Sequence, residues 1–248
     1  MKNFIYIFIA LFMFACDSED ANGCLKKTGT IIQDEVAISS FENIFVDRDI
    51  ELILKQDIGF RVIIETGKNI RKDLEVKVIN NELQLKDTNT CNLVREYGVT
   101  KIYVSAPGIK VIRSSTQHTI SSDGVLHYPK LKLVSEDYNR PESYSIGDFR
   151  LAINSQELSV VANNISSFYI SGESQNVDIN FFSGSGRFQG EDLIAQNINF
   201  YHRGSNDMVV NPQVSLTGEI RSTGHVISLN QPATIAVEEF YNGRLIFQ

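Results

Sequence analysis

Six short segments between residues 149 and 247 repeat one pattern: Phe149-Arg150-Leu151, Phe168-Tyr169-Ile170, Phe188-Gln189-Gly190, Met208-Val209-Val210, Val226-Ile227-Ser228 and Leu245-Ile246-Phe247. The apolar residue that opens each segment returns after 19, 20, 20, 18 and 19 residues. Two residues before it stands a turn-former or small polar residue, namely Gly147, Ser166, Gly186, Asn206, Gly224 and Gly243. A period of about 20 residues with short β-type segments is typical of a solenoid.

The repeat predicts columns of stacked side chains. A residue and the one two positions on point to the same side of a strand, so Phe168 and Ile170 face inward together, as do Met208 and Val210. Successive turns stack at about 4.8 Å, which makes the apolar column the core. We therefore predict an all-β solenoid; the alternative is an ordinary sandwich with regularly spaced strands.

Alternating apolar residues continue through the N-terminal half. Between Thr30 and Asp87 they predict several short strands, interrupted by one helical turn at Lys68 to Leu74. No stretch resembles a linker, so the two halves are expected to share one core. The predicted domain covers 29–248, with N-terminal strands at 29–105 and regular rungs at 106–248.

Composition limits the classes of partner. The chain has 248 residues, a hydrophobic content of 42% and a net charge of −7, which suits one large β domain with a full core. Because the acidic sequence has no basic stripe, it argues against nucleic acid as a ligand. It equally argues against direct electrostatic docking on anionic lipid.

The N-terminus has the pattern of an export signal. An apolar run of 11 residues, Phe4 to Phe14, suits a signal-peptide core but falls short of the roughly 20 residues that span a bilayer. It is followed by Ala15 and Cys16 and resembles a bacterial lipoprotein lipobox, although Met13 and Phe14 depart from the usual Leu-Ala/Ser form. We predict a signal peptide over 1–15 and lipid attachment at Cys16. The alternative is a plain secretory peptide with an incidental cysteine.

Residues 16–28 contain few apolar side chains and are predicted to form an acidic tether. The cluster Asp17-Ser18-Glu19-Asp20 resembles the signals by which some Gram-negative lipoproteins reach the outer surface of the outer membrane. We therefore expect a surface-exposed protein held in the outer membrane by its lipid anchor. The alternatives are a tether that is merely acidic and a body that faces the periplasm.

Two further cysteines, Cys24 and Cys91, form an even pair in a chain expected outside the cytoplasm. A disulfide between them would tie the tether to the domain and typically contributes about 2–4 kcal/mol. The alternative is two separate thiols.

The sequence predicts no catalytic residue, metal site or cofactor. Ser183-Gly184-Ser185-Gly186 with Gly190 looks like a phosphate-binding loop, but its spacing is one residue too long and no helix follows, so we interpret it as a turn. The histidines lack the spacing of zinc ligands and are expected at surface or turn positions. They are His118, His127, His202 and His225.

A polysaccharide-active enzyme, either a lyase or a hydrolase, is the main functional alternative, because many such enzymes are β-helices. They gather carboxylates on one exposed sheet. The residues just before the repeat positions carry mixed charges instead: Asp148, Ser167, Arg187, Asp207, His225 and Arg244. We predict a solvated stack in which Arg187 and Asp207 neutralise each other, worth about 0–1 kcal/mol.

Two clusters of aromatic and polar residues are candidates for ligand contact. The first lies in a predicted projecting loop over 137–144, and the second lies at 201–203. The candidate contact residues are Tyr138, Arg140, Tyr144, Tyr201, His202 and Arg203. Sugar rings could stack on the tyrosines; the alternative is that the tyrosines only cover the edge of the solenoid.

Several segments over about 37–248 resemble a known family. They are Ser40-Phe-Glu-Asn-Ile, Lys101-Ile-Tyr-Val-Ser-Ala-Pro-Gly-Ile-Lys-Val-Ile, Leu216-Thr-Gly-Glu-Ile-Arg-Ser-Thr-Gly-His-Val, Asn230-Gln-Pro and Gly243-Arg-Leu-Ile. In this order they resemble the "putative auto-transporter adhesin, head GIN domain" family. The resemblance implies a secreted or lipid-anchored protein with a right-handed parallel β-helix-like solenoid and irregular N-terminal strands. It supplies no catalytic residues.

These observations lead to one expectation about function. We expect a lipid-anchored binding or adhesion module of the cell envelope, without catalytic activity, whose partner is a glycan or a protein. A neighbouring copy of the chain could also occupy its stacked faces. A purely structural envelope component is a further alternative.

Overall fold

The computed structural model describes residues 23–89, 91–96, 98–138 and 140–248. Within these residues the chain forms nineteen strands in one continuous sheet and two short 3-10 turns, Gly23–Leu25 and Arg71–Asp73. The predicted signal peptide, Cys16 and residues 17–22 of the tether lie outside the described residues, as does Asn139. Among the described residues there is no helix with the length and hydropathy of a transmembrane span.

The strands fall in chain order as follows. The first ten are β1 (Ile31–Val36), β2 (Asn43–Asp47), β3 (Ile50–Gln56), β4 (Arg61–Gly67), β5 (Leu74–Ile79), β6 (Glu82–Asp87), β7 (Thr100–Ala106), β8 (Val111–Ser115), β9 (Ile120–Leu126) and β10 (Lys130–Ser135). The other nine are β11 (Phe149–Ala162), β12 (Ser167–Phe181), β13 (Arg187–Gln189), β14 (Leu193–His202), β15 (Met208–Val210), β16 (Pro212–Ile220), β17 (Val226–Ser228), β18 (Thr234–Glu239) and β19 (Leu245–Phe247).

The strands stack in two series. Series A runs β5–β6–β2–β8–β10–β11–β12–β14–β16–β18 and uses the C-terminal halves of the long strands β11 and β12. Series B runs β1–β4–β7–β3–β9–β11–β12–β13–β15–β17–β19 and uses their N-terminal halves. These pairings are parallel except β1–β4, β4–β7 and β5–β6, which lie at the N-terminal end of the stack.

The repeat between 149 and 247 forms the predicted column. The successive register partners are Phe149, Phe168, Phe188, Met208, Val226 and Leu245. The first five are fully buried, and Leu245 packs against the core. The rings of Phe149 and Phe168 stack with centroids 4.9 Å apart. The prediction that side chains about 20 residues apart lie over one another is therefore confirmed.

Strands of the N-terminal half enter the stack out of chain order. β2 and β3 lie between β6–β7 on one side and β8–β9 on the other, so Leu52 pairs with both Ile102 and Ile120. Parallel pairing thus begins before the predicted boundary at residue 106, and among the described strands only the pairs β1–β4, β4–β7 and β5–β6 are antiparallel. Alternating apolar residues determine which face is buried but not which strand becomes the neighbour.

One hydrophobic core runs through both halves, as predicted. Ile44 and Leu52 from the N-terminal half belong to the same buried cluster as Phe200 and Leu216 from the C-terminal half. Because the two halves bury their apolar side chains in one cluster, they depend on one another for stability.

Cys24 and Cys91 are joined by a disulfide. The bond ties the start of the described chain to the loop between β6 and β7. Close by, the Lys26 ammonium lies 2.7 Å from the Asp73 carboxylate. Since β6 and β7 stand with their antiparallel partners at the N-terminal end of the stack, the described start of the chain lies at that end.

Candidate ligand-binding face

Outward-facing side chains of series A form two hydrogen-bonded rows, which we call the amide ladder. One row is Asn176, Asn197 and Ser215, and the other is Asp178, Asn199 and Thr217. Asn197 donates to Asn176 Oδ1 (3.1 Å) and accepts from Ser215 Oγ (2.8 Å). Asn199 donates to Asp178 Oδ1 (2.8 Å) and accepts from Thr217 Oγ1 (3.1 Å). Parallel strands in register produce these rows, because they place equivalent positions about 4.8 Å apart.

The amide ladder is a rigid polar surface. Hydrogen bonds within each row, together with one from Asn197 Nδ2 to the Gln175 carbonyl oxygen (3.4 Å), fix the orientation of the amides. The second Nδ2 hydrogen of Asn199 stays available to a ligand.

A shallow groove of about 510 Å³ runs over the ladder. Two of its lysines are ion-paired, Lys130 with Glu157 at 2.8 Å and Lys110 with Glu42 at 2.7 Å. Across the described ranges, no cluster of His, Cys, Asp and Glu could hold a metal ion.

A second groove of about 510 Å³ lies beside the ladder, where several strands of series A end. We call it the edge groove, and its lining residues are Arg113, Lys132, Val134, Glu136, Tyr138, Val161, Asn163, Phe182, Ser183 and Arg203. They come from β8, β10 and β11 and from the segments that follow β10, β11, β12 and β14. Because the parallel strands end together, residues that are far apart in the sequence meet at this edge.

Two aromatic side chains stand exposed in the edge groove. Tyr138 is 85% exposed and Phe182 is 47% exposed. Asn163 holds the segment that carries Tyr138, because its Oδ1 accepts the Asp137 backbone N–H (3.3 Å) and its Nδ2 donates to the Asp137 carboxylate (2.7 Å). Exposed aromatic rings on an anchored segment are typical of contact surfaces.

Of the three cations that line the edge groove, one forms an ion pair with a described carboxylate and two do not. Arg113 donates to Glu136 at 2.7 Å, and both side chains are largely buried, so they neutralise each other. Lys132 and Arg203 are exposed and have no carboxylate partner within the part of the chain that the structure describes. The groove therefore carries two uncompensated positive charges.

The structure brings together one residue from each predicted contact cluster. Tyr138 and Arg203 both line the edge groove. Arg140 lies elsewhere, with its guanidinium 4.3 Å from the centre of the Phe45 ring. Tyr144 lines a separate cavity near the N-terminal end of the stack. The predicted loop therefore contributes one residue to the groove, while its other two candidates pack against the N-terminal strands.

Tyr201 and His202 point to opposite sides of β14. Tyr201 faces outward, with its ring 5.6 Å from that of Phe182 at the edge groove. His202 is fully buried, so its predictions as a ligand contact and as a surface or turn histidine are wrong. Strand alternation turns its side chain into the core, beside Phe181. Burial lowers the pKa of His202 to about 4, because the core disfavours the charged imidazolium.

Replacing His202 by Leu is expected to remove an acid sensitivity of the fold. The pKa of His202 is about 4 in the folded chain and 6.5 ordinarily, so protonation increasingly favours the unfolded state as the pH falls from 6.5 to 4. The loss reaches about 3 kcal/mol at pH 4. Urea unfolding at pH 7 and pH 4 measures it, and His202→Leu should shrink the difference between the two by that amount.

The exposed His127 provides the matched control for this measurement. His127→Leu should leave the pH dependence of the free energy of unfolding unchanged. Removing the His202 Nδ1 that accepts the Gly204 N–H adds a cost, but this cost is the same at both pH values. A His202→Leu chain as acid-sensitive as the wild type would contradict the prediction.

Two of the residues just before the repeat positions carry carboxylates that accept backbone N–H groups from the next repeat. Asp148 accepts the Ser167 N–H at 3.1 Å, and Asp207 accepts the His225 N–H at 2.8 Å. The predicted neutralisation of Arg187 by Asp207 is wrong: both residues are described, and they form no ion pair. The Asp207 carboxylate is held by the backbone of the next turn instead.

The glycine-rich segment at 183–186 forms a bend between β12 and β13. The N–H groups of Ser185 and Gly186 donate to the Asn164 carbonyl oxygen at 2.9 and 3.0 Å. Because these donors are already used, they cannot cradle a phosphate, which supports the interpretation of the segment as a turn.

Carboxylates come together at the N-terminal end of the stack. Burial raises the pKa of Asp87 to about 6, with further contributions from Asp49 and Asp73, whereas the nearby imidazole of His118, whose Nε2 lies 3.8 Å from Asp49 Oδ1, lowers the pKa of Asp49. The cavity lined by Asp49 and Asp87 measures about 20 Å³, which is room for a single water molecule. It is too small for a sugar ring, so this pair does not provide the cleft that a polysaccharide-active enzyme requires.

The sequence also matches a known family directly. Residues 40–232 match the family described as "Putative auto-transporter adhesin, head GIN domain". The chain belongs to this adhesin family. None of the curated proteins matches the sequence.

Solved structures share the fold of this adhesin-family chain. A "putative adhesin" from Bacteroides fragilis NCTC 9343 has a TM-score of 0.80 at 16% identity, covering 90% of this chain and 99% of its own. From Parabacteroides distasonis ATCC 8503, a "putative adhesin" has a TM-score of 0.65 at 12% identity, covering 90% and 99%. A "putative lipid binding protein" from the same organism has a TM-score of 0.63 at 14% identity, covering 90% and 98%. At these identities the likeness shows the fold alone.

Sequence reasoning missed most of the face that this adhesin-family chain presents. A signal for the amide ladder was present, because Asn176 and Asn197, like Asp178 and Asn199, are 21 residues apart and alternate with buried residues. Phe182 carried no such signal. It follows a buried phenylalanine at the end of a strand, where the alternation stops.

Proposed function

We propose that this protein is a lipid-anchored adhesion module of the cell envelope that binds a glycan or a protein without catalysis. The observation that carries the proposal is a rigid amide ladder beside a groove with two exposed aromatic side chains. Fixed amides and hydroxyls offer directed hydrogen bonds, and exposed rings offer apolar contact. Membership of the adhesin family supports the same role.

The finer architecture that we propose is a right-handed parallel β-helix-like solenoid. Support comes from the parallel, in-register pairing of segments about 20 residues apart. Connections between parallel strands of one sheet are right-handed in about 98% of cases. A solenoid of this kind would extend the amide ladder as one continuous surface along its axis.

We place the lipid anchor on Cys16 and the body outside the outer membrane. The Cys24–Cys91 disulfide fastens the tether to the N-terminal end of the stack, so series A would run away from the membrane. Metabolic labelling with a palmitate analogue should mark the wild-type chain but not Cys16→Ser. Protease added to intact cells should degrade the body. Persistent labelling of Cys16→Ser would contradict the anchor, and protection of the body until the outer membrane is broken would contradict the location.

Binding is tested with the mature chain carrying Cys16→Ser, which cannot be acylated. This protein should bind at least one member of an array of glycans and matrix proteins, and mass spectrometry should show the bound glycan intact. Absence of binding to every member would contradict an adhesive role. Release of shortened or unsaturated sugars would contradict the absence of catalysis.

A further inference from the structure

We propose that the edge groove binds a segment of a polyanionic glycan, a chain of sugars that carry carboxylate or sulfate groups. In this arrangement Lys132 and Arg203 contact the anionic groups, and Tyr138 and Phe182 contact the apolar faces of the sugar rings. The inference rests on the proposed function and specifies the class of ligand for one part of the face.

The distribution of charge points to an anionic ligand. The whole chain has a net charge of −7, so its long-range field repels anions. Beside the ladder, Lys130 is neutralised by Glu157 at 2.8 Å, and within the groove Arg113 is neutralised by Glu136 at 2.7 Å. Lys132 and Arg203 alone among the cations lining the edge groove lack a carboxylate partner in the described ranges.

The separation of these two cations points to a polymer with repeated charges. Lys132 lies on β10, and Arg203 follows β14, with β11 and β12 stacked between them. Three inter-strand spacings of about 4.8 Å place the two backbones about 14 Å apart along the stack. A single carboxylate or sulfate would contact both side chains only if the two bent toward each other across the groove. A chain that carries such groups on more than one sugar can reach both.

The aromatic side chains point to sugar rings in preference to nucleotides. Single-stranded nucleic acid would also suit aromatic rings and positive charge, so an oligonucleotide has to be tested beside the glycans. Tyr138 and Phe182 share the edge groove with the Ser183 hydroxyl and with Lys132, which also lines the groove over the ladder, and this suits a ligand rich in hydroxyl groups.

The test uses the mature Cys16→Ser chain and four probes: polygalacturonate, heparin, neutral dextran and a single-stranded oligonucleotide. Calorimetry should detect binding of polygalacturonate or heparin but not of dextran or the oligonucleotide. The affinity should fall as the salt concentration is raised. Lys132→Gln and Arg203→Gln together should weaken binding by about tenfold or more. Tyr138→Ala should weaken it with little change in the salt dependence.

The matched control is Lys130→Gln, which removes a lysine of the same face that is already paired with Glu157. It should change the affinity by less than about twofold. Thermal unfolding of each variant verifies that the fold is retained, as expected for exposed side chains.

Each other outcome overturns the inference. If the wild type and the Lys132→Gln/Arg203→Gln chain bound acidic glycans with equal affinity, the groove would not be the binding site. The chain could instead bind dextran or a protein of the array, with an affinity that neither substitution changes. That result would agree with the adhesive role but contradict a polyanionic glycan as the ligand of the groove. If the two cations mediated binding of oligonucleotides or anionic vesicles and no acidic glycan were bound, the groove would have a different ligand. No binding to any glycan or protein would remove the proposed function as well.

Discussion

Phe168→Ala is expected to lower the free energy of unfolding by about 3–5 kcal/mol, the usual cost of removing a fully buried phenylalanine. Phe168 is completely buried, its ring stacks on that of Phe149 at 4.9 Å, and its register partner on the other side is Phe188. Removing the ring leaves a cavity in the middle of the column, and the in-register backbone above and below limits how far the neighbours can collapse into it. Urea unfolding monitored by circular dichroism measures the loss.

Phe182 supplies the matched control, since it is a phenylalanine of the adjacent β12–β13 segment that is 47% exposed. Phe182→Ala should cost less than about 1 kcal/mol, because its contact with the Tyr201 ring is solvent-exposed. Equal losses for the two substitutions would contradict the assignment of the column as the core.

Gly172→Ala is expected to destabilise the fold by more than about 3 kcal/mol. Gly172 has a φ of +105°, and a Cβ there would lie 2.0 Å from the Ile153 carbonyl oxygen. Ile153 is its register partner on one side and Leu193 is its partner on the other, so the clash involves backbone that parallel pairing holds in place. The substitution therefore combines backbone strain with separation of neighbouring strands.

Gly108 provides the comparison, because a Cβ at that position meets nothing within 4 Å. Gly108→Ala should be neutral or should stabilise the chain by up to about 1 kcal/mol, since alanine restricts the unfolded state. Chemical unfolding of both variants under the same conditions is the measurement. A Gly172→Ala chain as stable as Gly108→Ala would mean that the close approach of Gly172 to Ile153 is not present in solution.

The candidate site was only partly predictable from the sequence. Tyr138 and Arg203 were identified by residue type, and both line the edge groove. His202 was grouped with its neighbours although alternation along a strand turns it the other way. Lys132 carries no signal in the sequence. Its role in the groove depends on the lack of a carboxylate partner, and such partners come from other strands.

The sequence by itself determined that the chain is all-β, that its turns recur about every 20 residues and that one column of apolar side chains forms the core. The sequence reveals these features because the side chains that are buried in each turn must recur at the spacing of the turns. Only the tertiary structure decided that β2 and β3 enter the stack between β6–β7 and β8–β9, and that Lys132, Tyr138 and Arg203 share one groove. The physical reason is that apolar alternation specifies which face of a strand is buried, whereas the neighbours of a strand are selected by pairing with segments far away in the chain.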